Sequence, residues 1–272
     1  MPYCCVEGTE FYYQKIGQGM PMLMLHGFGP DSRLMGGCME PVFERRNGYQ
    51  RIYVDLPGMG RTKGKPGTES ADGFLRLIIG FIDEVIKGKP FLIAGESYGG
   101  YLARGLLEHR RKQIKGAVFI CPVIFPDKQK RTLPEKIQVY RDEVFLQSLD
   151  RENREAFIEE NTVLNRKTWE RFREEVLAGL RMADGEFLAK VQDNYQFTFP
   201  IDTVVFSEPI LFLLGKQDAV VGYKDAFKLD GTFPRGTFAV LDKAGHYLQI
   251  EQARLFEVHM HEWFDRVEQG NM

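Results

Sequence analysis

The chain has 272 residues, 43% of them hydrophobic, which is enough for one large domain or for a core domain that carries an insertion. Its net charge of −2 at pH 7 gives no electrostatic reason to expect a nucleic acid or an acidic membrane surface as a partner. The longest apolar runs have only the length of a β-strand, so the sequence predicts no transmembrane span.

The cysteines and the N-terminus indicate a cellular compartment. Cys4, Cys5, Cys38 and Cys121 fit neither a C-x-x-C motif nor a disulfide-dense scaffold, so we predict free thiols in a reducing environment. The N-terminal residues lack both the basic start and the apolar segment of a signal peptide. We therefore expect a cytoplasmic protein.

The first half of the chain alternates between strand and helix patterns. Residues 3–16 hold two β-prone runs around Gly8, which predicts an antiparallel hairpin at the edge of a sheet. Apolar runs of strand length then alternate with helical patterns, as expected for a parallel sheet with helices on both faces. Buried strands are predicted at residues 22–25, 51–55, 91–94 and 116–122, and helices at 70–87 and directly after the third of these strands.

A different pattern occupies residues 123–207. This stretch lacks buried strands and contains charged helical segments, predicted at 133–149, 152–161 and 167–183. We interpret it as a helical cap inserted into a core made of residues 1–122 and 208–272, lying over the carboxyl edge of the sheet. Strands at 209–214 and 237–241 and a final helix beginning near His246 complete the core.

Residues 95–99 read Gly-Glu-Ser-Tyr-Gly between a predicted strand and a predicted helix. This is the context that a G-x-S-x-G nucleophile elbow needs, with the Ser97 hydroxyl projecting from the carboxyl end of the strand. The turn is sharp, so Gly95 and Gly99 occupy positions where a Cβ would clash. The alternative is a purely structural turn.

Other polar residues follow the predicted strands at the same edge. The loop His26-Gly27-Phe28-Gly29 is predicted to supply the Phe28 N–H to an oxyanion hole, with Tyr98 N–H as second donor; the alternative is a tight turn organised by His26. Asp55 precedes Pro-Gly and is interpreted as a turn-fixing residue. Asp218 and His246 each lie just past a later strand.

Nucleophile, acid and histidine follow one another in the order Ser97, Asp218, His246. The chain resembles α/β-hydrolase fold proteins with a helical cap, through the His26-Gly27 loop, the Ser97 elbow, Asp218 and Gly245-His246. The resemblance implies a mostly parallel sheet with an N-terminal antiparallel hairpin, helices on both faces and an inserted helical cap. It also implies nucleophile Ser97, acid Asp218, base His246 and oxyanion donors Phe28 and Tyr98, with no metal and no organic cofactor.

The fold alone does not determine the reaction, because the same fold hosts many chemistries. We expect hydrolysis of a small carboxylic ester or related acyl compound, because the His26-Gly27-Phe28-Gly29 loop looks like that of small bacterial esterases and carbon–carbon bond hydrolases. Carbon–carbon bond hydrolysis with the same triad, or a slow-turnover ligand-binding or sensor protein, are the alternatives. Phe197 and Phe199 are candidates for substrate contact, and the choice between monomer and homodimer stays open.

Overall fold

The computed structural model describes residues 3–270 and contains a central eight-stranded sheet. Two further strands of two residues each pair with each other outside this sheet. The strands are β1 Tyr3–Val6, β2 Thr9–Ile16, β3 Met20–Leu25, β4 Tyr49–Val54, β5 Phe91–Glu96, β6 Ile114–Ile120, β7 Tyr140–Arg141, β8 Val163–Leu164, β9 Ile210–Gly215 and β10 Gly236–Leu241.

The order across the large sheet is β1-β2-β4-β3-β5-β6-β9-β10. β1 and β2 form the predicted antiparallel hairpin, β2 is also antiparallel to β4, and every pair from β4 to β10 is parallel. β5 and β9 are buried along their whole length, which matches their continuous apolar sequence and helices on both faces. The predicted α/β-hydrolase architecture is therefore confirmed, and the parallel strands end at one common edge.

Helices cover both faces and fill the segment between β6 and β9. None of the helices within residues 3–270 combines the length and apolar character needed to cross a membrane. The α-helices are α1 Ser32–Phe43, α2 Ala71–Val85, α3 Ser97–Arg110, α4 Glu143–Gln147, α5 Arg151–Glu160, α6 Arg166–Phe172, α7 Ala178–Leu180, α8 Gly185–Asp193, α9 Leu248–Glu251 and α10 Ala253–Gln269. A π-helical turn, Arg173–Leu177, joins α6 to α7, and 3-10 turns occur at Lys128–Lys130 and Lys224–Leu229.

Two helix predictions need correction. Of the helix predicted at 133–149, only α4 forms, because the Val139 N–H donates to the Thr162 carbonyl (2.9 Å) and the chain continues into β7. Asp142 then caps α4 by accepting from the Phe145 N–H. The final helix begins at Leu248, close to the predicted start near His246, but it is not continuous, because it is interrupted at Gln252.

The segment between β6 and β9 packs in two ways. Its first part has a separate apolar cluster around Phe157, Trp169 and Phe172, which reaches the rest of the protein through Leu34 and Tyr247. Its last part packs in the main core of the sheet, with Phe187, Leu188, Val191, Phe197 and Phe206. The four cysteines are free thiols, as predicted.

Candidate active site

The elbow joins β5 to α3 directly, since β5 ends at Glu96 and α3 begins at Ser97. Ser97 has a φ of 51°, a left-handed conformation that is uncommon for a residue with a side chain and that occurs at functional sites. A Cβ on Gly95 would lie 2.6 Å from the backbone N of Gly100, and one on Gly99 would lie 2.5 Å from the His26 carbonyl oxygen. Only glycine fits at these two positions, as the motif predicts.

The structure brings Ser97, Asp218 and His246 together, although they are far apart in the chain. His246 Nε2 lies 2.9 Å from Ser97 Oγ, and His246 Nδ1 lies 3.0 Å from Asp218 Oδ2. The other Asp218 oxygen, Oδ1, accepts the N–H groups of Val220 and Val221 at 2.9 and 3.0 Å. All three side chains are buried, so the chain of hydrogen bonds is shielded from bulk water.

A glutamate that the sequence reasoning missed holds the His246 loop. Glu251 Oε2 accepts from the Gly245 N–H at 2.5 Å, and Oε1 accepts from the N–H groups of Thr162 and Val163 at 2.6 and 2.9 Å. Burial raises the pKa of this carboxyl to about 7, against the three N–H donors that favour its charged form. Glu251 thus ties the His246 loop to the segment that leads into β8.

Phe28 and Tyr98, whose N–H groups are the predicted oxyanion donors, contact each other through their rings. Tyr98 is in the first turn of α3, where backbone N–H groups have no intrahelical acceptor. No acceptor for the Phe28 N–H occurs within the part of the chain that the structure describes. The Phe28 ring packs edge-on against the Tyr98 ring, with centroids 5.5 Å apart.

His26 and Asp55 organise loops, as predicted. His26 Nδ1 donates to the Gly27 carbonyl at 2.8 Å and Nε2 accepts the Leu56 N–H at 2.9 Å. Burial lowers the pKa of this imidazole, which keeps it neutral. Asp55 accepts the backbone N–H groups of Ser32 and Arg61 at 3.0 and 2.8 Å.

The charge around His246 comes from three carboxyl groups. Burial alone would lower the pKa of His246, but the Asp218 carboxylate, its hydrogen bond, and then Glu96 and Glu160 raise it to about 9. Burial raises the pKa of Glu96 to about 7, against the nearby His246 charge. Burial also raises the pKa of Glu160.

A cavity of about 240 Å³ opens onto Ser97 and His246. The sheet edge contributes Phe28, Glu96 and Tyr247 to its wall, among others. The segment between β6 and β9 contributes side chains that the sequence did not single out: Lys128, Arg131, Glu160, Leu180, Gln192 and Tyr195. The guanidinium of Arg131 donates to the carbonyls of Phe125, Pro126 and Val220, which fixes the loop entering this segment.

Phe197 and Phe199 are not at this cavity. They line a neighbouring one of about 340 Å³, where the Phe197 ring stacks on Tyr101 with centroids 4.5 Å apart. The Phe197 N–H also donates to the Tyr101 hydroxyl at 2.9 Å, which holds the aromatic run in this register. Tyr195, two residues earlier, reaches the Ser97 cavity instead, and its ring stacks on Tyr98 at 4.2 Å.

Cys121 Sγ lies close to the functional atoms of Asp218 and His246, all within 4.8 Å of one another. Burial raises the pKa of the Cys121 thiol, so it stays protonated, and Sγ approaches the Gly245 carbonyl at 3.6 Å. A metal would need the thiolate. Asp218 Oδ2 and His246 Nδ1 are hydrogen-bonded to each other at 3.0 Å, so a metal here would have to displace that hydrogen bond as well as the thiol proton.

Comparison with known proteins identifies the family. Residues 22–258 match the model of the alpha/beta hydrolase family, so the chain belongs to that family. A solved structure of an alpha/beta superfamily hydrolase from Oenococcus oeni PSU-1 superposes with a TM-score of 0.90 at 30% identity, covering 98% of this chain and 100% of that one.

Curated relatives are hydrolases of several kinds. Monoacylglycerol lipase ABHD6 of Bos taurus is 23% identical, over 91% of this chain and 77% of its own length. A 2-hydroxy-6-oxo-6-(2'-aminophenyl)hexa-2,4-dienoic acid hydrolase of Metapseudomonas resinovorans is 23% identical, over 92% of this chain and 85% of its own length. The protein is a hydrolase with similarity to lipases and esterases.

Proposed function

We propose that the protein is a serine hydrolase that cleaves a small carboxylic ester or a related acyl compound. The observation that carries the proposal is the unbroken series Ser97 Oγ, His246 Nε2, His246 Nδ1 and Asp218 Oδ2, with separations of 2.9 and 3.0 Å between residues, at the wall of a cavity. A serine hydroxyl becomes a useful nucleophile only when a base takes its proton during attack. In this proposal His246 is that base and Asp218 is the carboxylate that orients it.

The reaction proceeds in two halves. Ser97 Oγ attacks the acyl carbon while its proton passes to His246 Nε2, and His246 then protonates the leaving alcohol to leave an acyl-enzyme. Water repeats the attack, giving its proton to His246, and Ser97 leaves as the hydroxyl. Asp218 orients the ring and stabilises the imidazolium without accepting its proton.

The backbone N–H groups of Phe28 and Tyr98 form the oxyanion hole in this proposal. The tetrahedral intermediate places negative charge on the former carbonyl oxygen, and loss of one donor to such an oxygen typically lowers kcat about 100- to 1000-fold. Tyr98 donates from the N-terminal end of α3, where the helix dipole also favours negative charge.

Residues 123–207 act as a cap that sets substrate size. This segment contributes Lys128, Arg131, Leu180 and Tyr195 to the cavity wall. A cavity of about 240 Å³ lies below the range of roughly 300–1,000 Å³ that drug-sized ligands occupy, which favours a small acyl group. The lipase and the dienoic acid hydrolase relatives are named for different substrates.

Carbon–carbon bond hydrolysis is the second candidate. The Metapseudomonas resinovorans relative, named for a dienoic acid substrate, aligns with 92% of this chain, including the segment that lines the cavity. The same triad can serve both reactions, so the bond that is cleaved depends on the substrate that the cavity holds. The slow-turnover sensor alternative is disfavoured because the triad geometry is complete.

Ser97→Ala tests the proposal. The substitution should lower kcat for a short-chain ester by on the order of 10⁶-fold, as loss of a nucleophile does in other triads, while thermal unfolding stays unchanged. p-Nitrophenyl esters from acetate to octanoate and a dienoic vinylogous acid should be assayed in parallel with wild type. Ester turnover that survives in Ser97→Ala would contradict the proposal, and cleavage of the dienoic acid alone would favour the second candidate.

A further inference from the structure

The carboxyl group of Glu96 is buried beside Ser97 and His246, and one of its oxygens has no hydrogen-bond partner. Glu96 is 1% exposed, lines the Ser97 cavity, and directly precedes Ser97 in the chain. Its Oε1 has no hydrogen-bond partner, whereas most buried polar atoms in proteins have one. Oε1 lies 3.6 Å from His246 Nε2, the atom that also faces Ser97 Oγ.

We propose that Glu96 is a second carboxyl partner of His246, a positioning residue that stabilises the imidazolium from the Ser97 side and sets the pH at which the base becomes free. The inference rests on the proposed function. Nε2 is the atom that receives the Ser97 proton, so Glu96 acts on the proton-carrying end of the ring, whereas Asp218 acts on Nδ1. Two carboxylates on opposite nitrogens favour the charged ring more than one does.

The effect has two opposite consequences for the rate. During attack, an ionised Glu96 stabilises the imidazolium that forms, because opposite charges 3.6 Å apart in a buried site attract strongly. Between turnovers, the same charge keeps His246 protonated and unable to accept the Ser97 proton. Glu96 therefore raises the maximal rate and moves the acid limb of the pH profile to higher pH.

The effect of Glu96 can be distinguished from the effects of the other groups that face His246. Asp218, Glu96 and Glu160 act on the ring from the end of β9, the end of β5 and the end of α5. Lys128 and Arg131 share the cavity, and the Cys121 thiol and Tyr247 hydroxyl, both with raised pKa values, stay neutral. Of the three carboxyl groups, only Glu96 combines full burial with an unpaired oxygen near Nε2.

The test compares the pH dependence of kcat/KM in wild type, Glu96→Gln and Glu96→Met, using whichever ester the wild type hydrolyses. With the His246 pKa near 9, the wild-type kcat/KM should fall as pH drops below about 9, because the neutral imidazole is the active form. Both variants should shift this limb down by roughly one pH unit, making them about tenfold faster than wild type just above about pH 7, where Glu96 is ionised, and slower than wild type at the alkaline plateau.

The Glu96→Met variant serves as a second test in case Glu96→Gln does not fold. It replaces a buried carboxyl, one oxygen of which has no hydrogen-bond partner, by an apolar side chain of similar length, and its thermal unfolding is compared with that of wild type. Glu251→Gln is the matched control, since Glu251 is a partly buried carboxyl with a similarly raised pKa whose oxygens face backbone N–H groups and not the ring. The Glu251→Gln substitution should lower the unfolding temperature and leave the acid limb of the kcat/KM profile at the wild-type pH.

Three outcomes overturn the inference. They are a wild-type limb near pH 6.5, variants whose profiles coincide with wild type, or a Glu251→Gln limb that moves as far as that of Glu96→Gln. Failure of the serine mechanism itself looks different, because ester turnover would then survive in Ser97→Ala. The two proposals can therefore fail separately.

Discussion

The carboxyl edge of the sheet and the segment between β6 and β9 face the same cavity but are built differently. At the edge, backbone geometry fixes each functional group: Ser97 sits on a left-handed turn and Asp218 is held by two N–H groups. In the segment, side chains from separate turns, such as Arg131, Leu180 and Tyr195, reach the cavity, and part of their support is a separate apolar cluster.

We expect this difference to separate two roles, with the sheet edge determining the rate of the reaction and the segment determining which substrate is preferred. Substitutions at the sheet edge should change the rate for every substrate, because they alter the atoms to which we assign the chemistry. Substitutions in the segment should change which substrate is preferred, since its side chains bound the cavity without touching Ser97 Oγ or the His246 ring nitrogens through hydrogen bonds.

Asp218→Asn is the sharpest test of the sheet edge. The amide keeps the shape of the carboxylate, so Val220 and Val221 can still donate to it, but its NH₂ group favours the wrong tautomer of His246. We expect kcat to fall about 10⁴-fold for every ester in a panel, with little change in KM. Steady-state kinetics on esters of increasing acyl length would check this, and a loss confined to long esters would contradict it.

Gly99→Ala tests whether the elbow depends on backbone packing. A Cβ at this position meets the carbonyl oxygens of Leu25 and His26, which belong to a fixed strand end and cannot give way easily. We expect a loss of about 2–3 kcal/mol in the free energy of unfolding, measured by urea titration, together with loss of activity.

Gly36→Ala provides the matched control. Gly36 lies in α1, and nothing would lie within 4 Å of an added Cβ. Because alanine is the better helix former, this variant should gain up to about 1 kcal/mol and keep full activity. Equal destabilisation by both substitutions would show that the elbow does not depend on close backbone packing at Gly99.

Leu180→Ala tests the segment and carries the smallest expected effect. Removing this side chain enlarges the cavity, so the preferred acyl chain should become longer by one or two carbons, with changes in kcat/KM of less than about tenfold. Leu133→Ala is the control, because Leu133 is exposed in the same segment and does not line the cavity. A drop of several orders of magnitude for all esters would place Leu180 in the chemistry instead.

The sequence predicted the sheet edge well because motifs there encode backbone geometry. Gly95 and Gly99 mark a turn that only glycine permits, and the carboxyl ends of parallel strands necessarily meet at one edge. The approach of Ser97, Asp218 and His246 follows from those two facts. Their catalytic roles stay predictions until they are tested.

The sequence predicted the cavity wall poorly because side-chain direction there depends on tertiary contacts. Phe197 packs on Tyr101 while Tyr195 reaches the cavity, a choice of register that composition does not reveal. The predicted helix at 133–149 gave way to pairing between residues 139 and 162. Glu96 occupied a variable position of the elbow motif, and only its burial and its unpaired oxygen single it out.

The most direct test of the serine mechanism is the intact mass of wild type and Ser97→Ala after treatment with a small fluorophosphonate. We predict one adduct per chain in wild type and none in the variant, because His246 activates only the Ser97 hydroxyl. Equal labelling of both proteins, or an unlabelled wild type that still hydrolyses esters, would contradict the account.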